Sequence, residues 1–522
     1  MEHPDVAQLA AVGGAIGSIL VLLARGRLAL LAGLVLLGLT EAGLAFSLGT
    51  GPLDRLDSAT GGAAVVVGLA LLGAAAALLA RRPALVPVVV LVAAPFRPPL
   101  DFSSSNRFLV SIADDGRLGR LLPLYFVLAA AAVALGWRAL RGREIRPLPS
   151  AIALPAAAFF GFALCSVLWT DDIEAGANLL VFFTLPFVAL LATVARAEFP
   201  PRVPPALAVT AIALASLFAA VGLWQAVTHE LFFYAPNLAV SNANTDYFRV
   251  TSLFGDPSLY GRHLVLGIGV VLALLAARRW KAWGLAAILA LLWTGLLFSY
   301  SQSSMAALLV VTLALAFITG DGRVRRIVSA ISLVAVLAAA GYGAVKVIGG
   351  ETLNKITSDR TERVEDTTRV IKQKPFFGVG IGGQPRASRR LAGSDRPTPN
   401  FVSHTTPLTV FAELGVVGLA LYAWLLVGGV RLIVAVRRRD ETLGLALLAC
   451  FLALFVHALF YSGFLEDPIT WLVLAVGAGY LTWMDRYAAP TARERAEARM
   501  DAAAAADGRR AAGAPASRPV GP

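Results

Sequence analysis

The sequence predicts an all-α polytopic membrane protein, and three observations carry that expectation. Of 522 residues, 57% are apolar and only 15% charged. Apolar runs recur from the first residues to about residue 485, many of them near the ~20 residues that cross the hydrocarbon core as a helix. The period-2 alternation of a closed barrel, the other way to satisfy a backbone in lipid, is absent. No soluble catalytic domain is visible.

Candidate spans fall at roughly 8–24, 28–48, 61–80, 83–96, 119–138, 150–169, 177–195, 204–227, 258–276, 282–299, 302–319, 327–348, 407–434, 443–463 and 467–485, so 12 to 15 spans are expected. The fourth, in RRPALVPVVVLVAAPFRPP, is short and proline-rich and reads as a broken or re-entrant helix. MEHPDVAQLA lacks the basic n-region of a signal peptide. Cys165 and Cys450 lie inside apolar runs as small buried hydrophobes, so no disulfide framework is expected.

The connecting loops alternate in charge. ARGR, ARRP, RALRGREIR, RAEFPPR, ARRWKAW, DGRVRR and VRRRD are basic, whereas SLGTGPLDRLD, WTDDIEAG, SYSQSS and SGFLEDP are acidic or neutral. The positive-inside rule places the first set in the cytoplasm. With 15 spans the N-terminus is outside and the C-terminus cytoplasmic. The net charge of +12 is then topology signal plus an arginine-containing tail, and no nucleic-acid partner is needed. The expected organisation is a helix bundle over 1–485, with large outer loops at 228–257 and 349–405, and a cytoplasmic tail over 486–522 without the apolar residues for a core.

The second large loop is the anomaly. It holds ten Lys/Arg against six Asp/Glu. Loops of this length translocate largely regardless of charge, so a merely solvated loop is one explanation. The other is an anion site, for which phosphate is the natural occupant of guanidinium forks. Within it, DRTERVEDTTRVIKQKP reads as a helix that sets Arg360 and Arg363 on one face and ends at Pro375. FFGVGIGG follows, with Gly378 and Gly380 permitting tight turns, and it is not a Walker loop.

Three further pieces carry polar groups. FRVTSLFGDPSLYGRHL brings Arg249, Arg262 and His263 to the entry of a span, either as interfacial anchors or as anion ligands. Ser301, Gln302 and Ser303 make a hydroxyl-rich hairpin, which a turn with helix caps also explains. His404 sits at the lip of a span, as a cap or as a titratable base. His457 lies mid-span, either packed and hydrogen-bonded or functional.

Taken in order, FRVTSLFGDPS, SYSQSS, the arginine-led helix ending in KPFFGVGIGG, and His404 followed by FAELGVVGLALY resemble the O-antigen ligase/polymerase superfamily of membrane glycosyltransferases. The resemblance covers about residues 85–485, and 249–420 is its informative part. It implies a GT-C-like transmembrane bundle in a bacterial cytoplasmic membrane. It also implies transfer of a glycan from an undecaprenyl-pyrophosphate carrier to a glycan, lipid or protein acceptor at the outer face, without metal or cofactor. Membrane lipids are the remaining partner.

Residue by residue, the resemblance implies pyrophosphate contacts from Arg249 and Arg360 and activation of the acceptor hydroxyl by His404. Glu413, Gly415 and Gly418 then form a structural signature, preceded by the Pro375, Gly378, Gly380 motif. Two positions depart from the family pattern: Gln302 stands where arginine is frequent, and Thr405 where asparagine usually follows the histidine. Arg262 or Arg363 would replace the missing hairpin arginine. A polymerase of the same superfamily is the nearest rival. A lipid-linked glycan transporter ranks lower, because midplane charges are scarce and no repeat is evident. A non-enzymatic scaffold leaves the basic loop unexplained.

Overall fold

The computed structural model describes residues 3–49, 59–96, 121–232, 236–278, 280–348, 360–403, 405–461 and 463–488. Every regular element among them is helical. In chain order the helices are α1 (Pro4–Leu23), α2 (Arg27–Leu48), α3 (Ala59–Arg81), α4 (Val86–Ala93), α5 (Leu122–Leu140), α6 (Ser150–Cys165), α7 (Ile173–Leu179), α8 (Leu185–Val194), α9 (Val203–Thr228) and α10 (Pro236–Ala243). They continue with α11 (Pro257–Ala276), α12 (Ala282–Leu297), α13 (Gln302–Thr319), α14 (Gly322–Ile348), α15 (Arg360–Gln373), α16 (Gln384–Leu391), α17 (Thr406–Arg439), α18 (Glu441–Phe460) and α19 (Pro468–Ala488).

The chain is an all-α polytopic membrane protein. Among the described residues eleven helical segments are long and apolar enough to cross a membrane. Two of these are composite: α6 continues through a 3-10 turn to Trp169, and α7 joins α8 through a π turn. The other four expected spans coincide with α4, α12, α14 and α19, which fall outside that class. The expected tail lies outside the described residues beyond Ala488, as does 349–359 of the second large loop.

The bundle is organised around α11, which is buried over most of its length and packs against α9, α12, α13 and α18. α17 packs on α6, α18 and α19. Pro155 inside α6 has no N–H to give the Ala151 carbonyl four residues back. Gly428 of α17 closes onto that carbonyl, where any Cβ would collide.

A buried arginine ties the end of α1 to the body. Arg196 donates to Val21 O at 2.7 Å, Ala192 O at 3.2 Å and Arg146 O at 3.1 Å. It thereby satisfies carbonyls near the C-terminal ends of α1 and α8 that no helical amide can reach. Burial pulls its pKa down from the ordinary value. Three carbonyl acceptors are the compensation a buried cation requires.

The two ends of the bundle differ. At one end the short basic turns meet: Arg138 pairs with Glu198 at 3.3 Å, Arg439 with Asp485 at 3.2 Å, and Arg146 lies over the Trp483 ring. Both long segments, 228–257 and 360–405, gather at the opposite end, called the loop face here.

Candidate functional site

Helix α17 crosses a membrane-length segment but breaks at Gly415, which takes φ 66° and ψ −166°. Such a break exposes backbone groups that lipid cannot satisfy. The segment after α15 supplies the partners. Val379 N and Gly380 N donate to the carbonyls of Ala412 and Glu413 at 3.0 and 2.8 Å, while Val416 N and Val417 N donate to Pro375 O and Phe376 O at 2.8 and 3.3 Å. Gly378 and Gly380 adopt φ of 68° and 84° to follow the broken helix this closely. A Cβ at Gly378 would strike the Glu413 carbonyl, and one at Gly415 the Phe376 carbonyl. Gly418 sits against Leu414 with no room for a Cβ. Pro375, Gly378, Gly380, Glu413, Gly415 and Gly418 are therefore one construction.

The Glu413 side chain extends this union by facing the backbone amides of Gly382 and Gln384. Gln384 is fully buried and carries the connection onward. Its Nε2, with two hydrogens to give, lies within hydrogen-bonding distance of Thr367 Oγ1 of α15, Ser388 Oγ and Phe401 O, and its Oε1 accepts from Ser403 N at 3.2 Å. Ser403 Oγ accepts from Thr405 N at 3.3 Å, and Thr406 Oγ1 accepts from Phe464 N at 3.4 Å. The chain on both sides of position 404 is thus fastened, on one side to the arginine-bearing helix α15 and on the other to the 463–467 segment.

The α6–α7 connection braces the same loop. Ser166 Oγ accepts from Ile381 N, Thr170 Oγ1 donates to Ile381 O, and Trp169 Nε1 donates to Phe377 O. Asp171 pairs with Lys374 at 3.1 Å and Arg390 at 2.8 Å, and Asp172 lies 3.7 Å from Arg386. On α15, Asp366 faces Arg369 at 3.4 Å. Burial raises the Asp366 pKa from its ordinary value, with Arg369 opposing the shift.

A second cluster stands beside it. Arg249 is half-buried, its backbone clamped by the Asn242 side chain, and its Nε donates to Ser299 O at 3.4 Å. Ser301 caps α13 by accepting from Ser304 N, and its Oγ meets Ser303 Oγ at 3.2 Å and Ser304 Oγ at 2.9 Å. Ser303 Oγ lies 3.2 Å from His457 Nε2. Nearby, Arg262 Nη2 meets Asp467 Oδ2 at 2.7 Å, with side chains 4% and 1% exposed. Asp467 Oδ1 accepts from Ile469 N near the start of α19.

Residues 287–423 match the family model described as O-antigen ligase. Over that stretch the chain is similar to the O-antigen ligase family. No curated protein matches the chain. The matched stretch is about a quarter of the sequence. It takes in the serine hairpin, α15, the glycine turn, position 404 and the break in α17, while Arg249, Arg262, His457 and Asp467 lie outside it.

Within and around the matched stretch the expected residues fall in several settings. His404 lies outside the described residues, and of Arg360 only the backbone, at the start of α15, is described. Arg363 is half-buried on α15 and makes no ion pair among the described residues. Gln302 is exposed on the first turn of α13, with Ser301 and Ser303 buried on either side. Arg262 already spends Nη2 on Asp467. Gln384, Asp171 and Asp467 escaped the sequence reading. Only Asp467 had a local signal, an Asp-Pro step before an apolar run, and that announces a helix cap without naming its ion-pair partner.

Two outcomes test this construction. Gly415→Ala, which meets both a clash and a left-handed φ, should destabilise the purified protein by about 1–3 kcal/mol or more in a thermal unfolding assay. Asp467→Leu leaves a buried guanidinium unpaired and should cost about 3–5 kcal/mol, most of it recovered when Arg262→Met is added.

Proposed function

We propose that the protein is a membrane glycosyltransferase that moves a glycan from an undecaprenyl-pyrophosphate carrier to an acceptor hydroxyl. The loop face is its extracytoplasmic side and the short basic turns are cytoplasmic. The observation that carries this reading is the tethering of both flanks of His404, a position inside the matched stretch, to α15 and to the 463–467 segment. A base and an anion-binding helix held in fixed relation are what transfer from a pyrophosphate leaving group requires.

The donor's lipid tail stays among the helices, and its pyrophosphate rests at the loop face against Arg249, Arg360 and Arg363. The acceptor oxygen attacks the anomeric carbon and the bond from that carbon to the pyrophosphate oxygen breaks. His404 takes the hydroxyl proton, and the electron pair leaves with the pyrophosphate. One in-line displacement inverts the anomeric centre. The guanidiniums stabilise the charge that grows on the leaving group at a surface less polar than water. Arg262, held by Asp467, positions the 463–467 segment that fastens Thr406.

Purified protein in proteoliposomes, given a lipid-pyrophosphate glycan and candidate acceptors, tests the reading. His404→Ala should lower turnover by about 10²-fold or more while membrane insertion is unchanged; wild-type turnover in that variant would reject the role of the base. Arg249→Ala and Arg360→Ala should raise the donor concentration needed for half-maximal rate. A chelator should leave the wild-type rate unaltered, and loss of activity restored by a divalent ion would overturn the metal-independent mechanism.

A further inference from the structure

The aromatic pair next to Arg249 is unused by this mechanism. Tyr247 and Tyr300 stack with ring centroids 4.5 Å apart and an interplanar angle of 29°. They come from separate segments, joined by the Val250 N to Phe298 O bond and by Arg249 Nε on Ser299 O. Both stay substantially exposed, at 43% and 45%, although stacked. Asp246, next to Tyr247, is exposed as well.

Tyr300 also holds φ at 48°. Bulky residues rarely adopt that conformation, and glycine would make the turn without strain. An interfacial anchor does not need a strained turn, since tyrosine anchors a membrane from ordinary backbone. The turn retains a tyrosine here for the place it gives the ring.

We propose that Tyr247 and Tyr300 form a platform for the donor's sugar ring nearest the pyrophosphate, with the Asp246 carboxylate accepting from a ring hydroxyl. The apolar C–H face of a pyranose packs on aromatic faces, whose negative quadrupole attracts those hydrogens. The platform adjoins Arg249, so a sugar one bond from a pyrophosphate held there falls within its reach. This inference rests on the donor reading above.

The test compares binding of a polyprenyl-pyrophosphoryl N-acetylhexosamine with that of bare polyprenyl pyrophosphate, using the full chain in nanodiscs. Wild type should prefer the glycosylated lipid by about three- to tenfold, the value of one aromatic packing contact. Tyr247→Leu and Tyr300→Leu should erase that preference without weakening binding of the bare lipid, and Tyr→Phe at either position should keep it. Tyr300→Gly, which removes the ring and relieves the backbone, serves if Tyr300→Leu does not fold. Equal wild-type binding of the two lipids, a preference that survives loss of both rings, or weaker bare-lipid binding in the Leu variants would each overturn the platform. Failure of the transferase reading shows separately, as a wild-type protein that binds donor and never turns it over.

Discussion

The loop face depends on one constraint: a membrane helix cannot be broken unless something else satisfies its backbone. α17 breaks at Gly415, and the Pro375–Gly380 segment donates to two of its carbonyls and accepts from two of its amides. Neither partner is stable in that form alone. The loop has no hydrogen-bonded ladder of its own, and the helix would leave polar groups facing lipid. The union fixes the height and rotation of the loop against a rigid membrane element. α15 and α16 flank the turn, and through Glu413 and Gln384 that fixed frame reaches Thr367, Phe401 and Ser403.

The helical spans were legible because hydropathy and the bilayer measure the same thing. A run such as LVLGIGVVLALLA has few other fates, and all fifteen expected spans fall on helices. The glycines were legible as permission for turns, but what those turns are for was not. Gly378 and Gly415 are read as separate motifs until the structure shows backbone hydrogen bonds between their segments, and a backbone bond has no residue type to announce it. Asp171 posed the opposite problem. In the sequence it served to sort loops by charge, and its partnership with Lys374 and Arg390, more than 200 positions away, needs the fold. Arg262 and Asp467 likewise look like charges at the ends of two spans until the bundle buries them together.

Those pairings change what the basic loop means. Ten cations over 349–405 would be a strong and unfocused positive field. Asp171, Asp172 and Asp366 engage Lys374, Arg390, Arg386 and Arg369, and thereby turn part of that charge into structure. Each of these pairs is exposed on its basic side and contributes little to stability by itself. The three pairs made by Asp171 and Asp172 act on placement, because they tie α16 and the end of α15 to the α6–α7 connection, whereas Asp366–Arg369 lies within α15. Arg363 is left outside these pairs, on the half-buried surface of α15.

The second cluster follows a different rule. Arg262, Asp467, His457, Ser301, Ser303 and Ser304 are all nearly inaccessible. Replacing such a network with apolar side chains often leaves stability unchanged or raises it, so a net gain in folding energy does not explain it. What an apolar contact cannot supply is direction. Ser301 Oγ reaches both Ser303 and Ser304, and Ser303 reaches His457 on α18, so the hairpin can dock in few registers without leaving a buried hydroxyl unmet. The carbonyl of Ser299, in the same hairpin, accepts from Arg249. A slip of one residue there would turn the start of α13 by about 100° and carry the arginine contact away with it. The buried network therefore acts as a register lock, and its energetic cost is met where the position of Arg249 matters most.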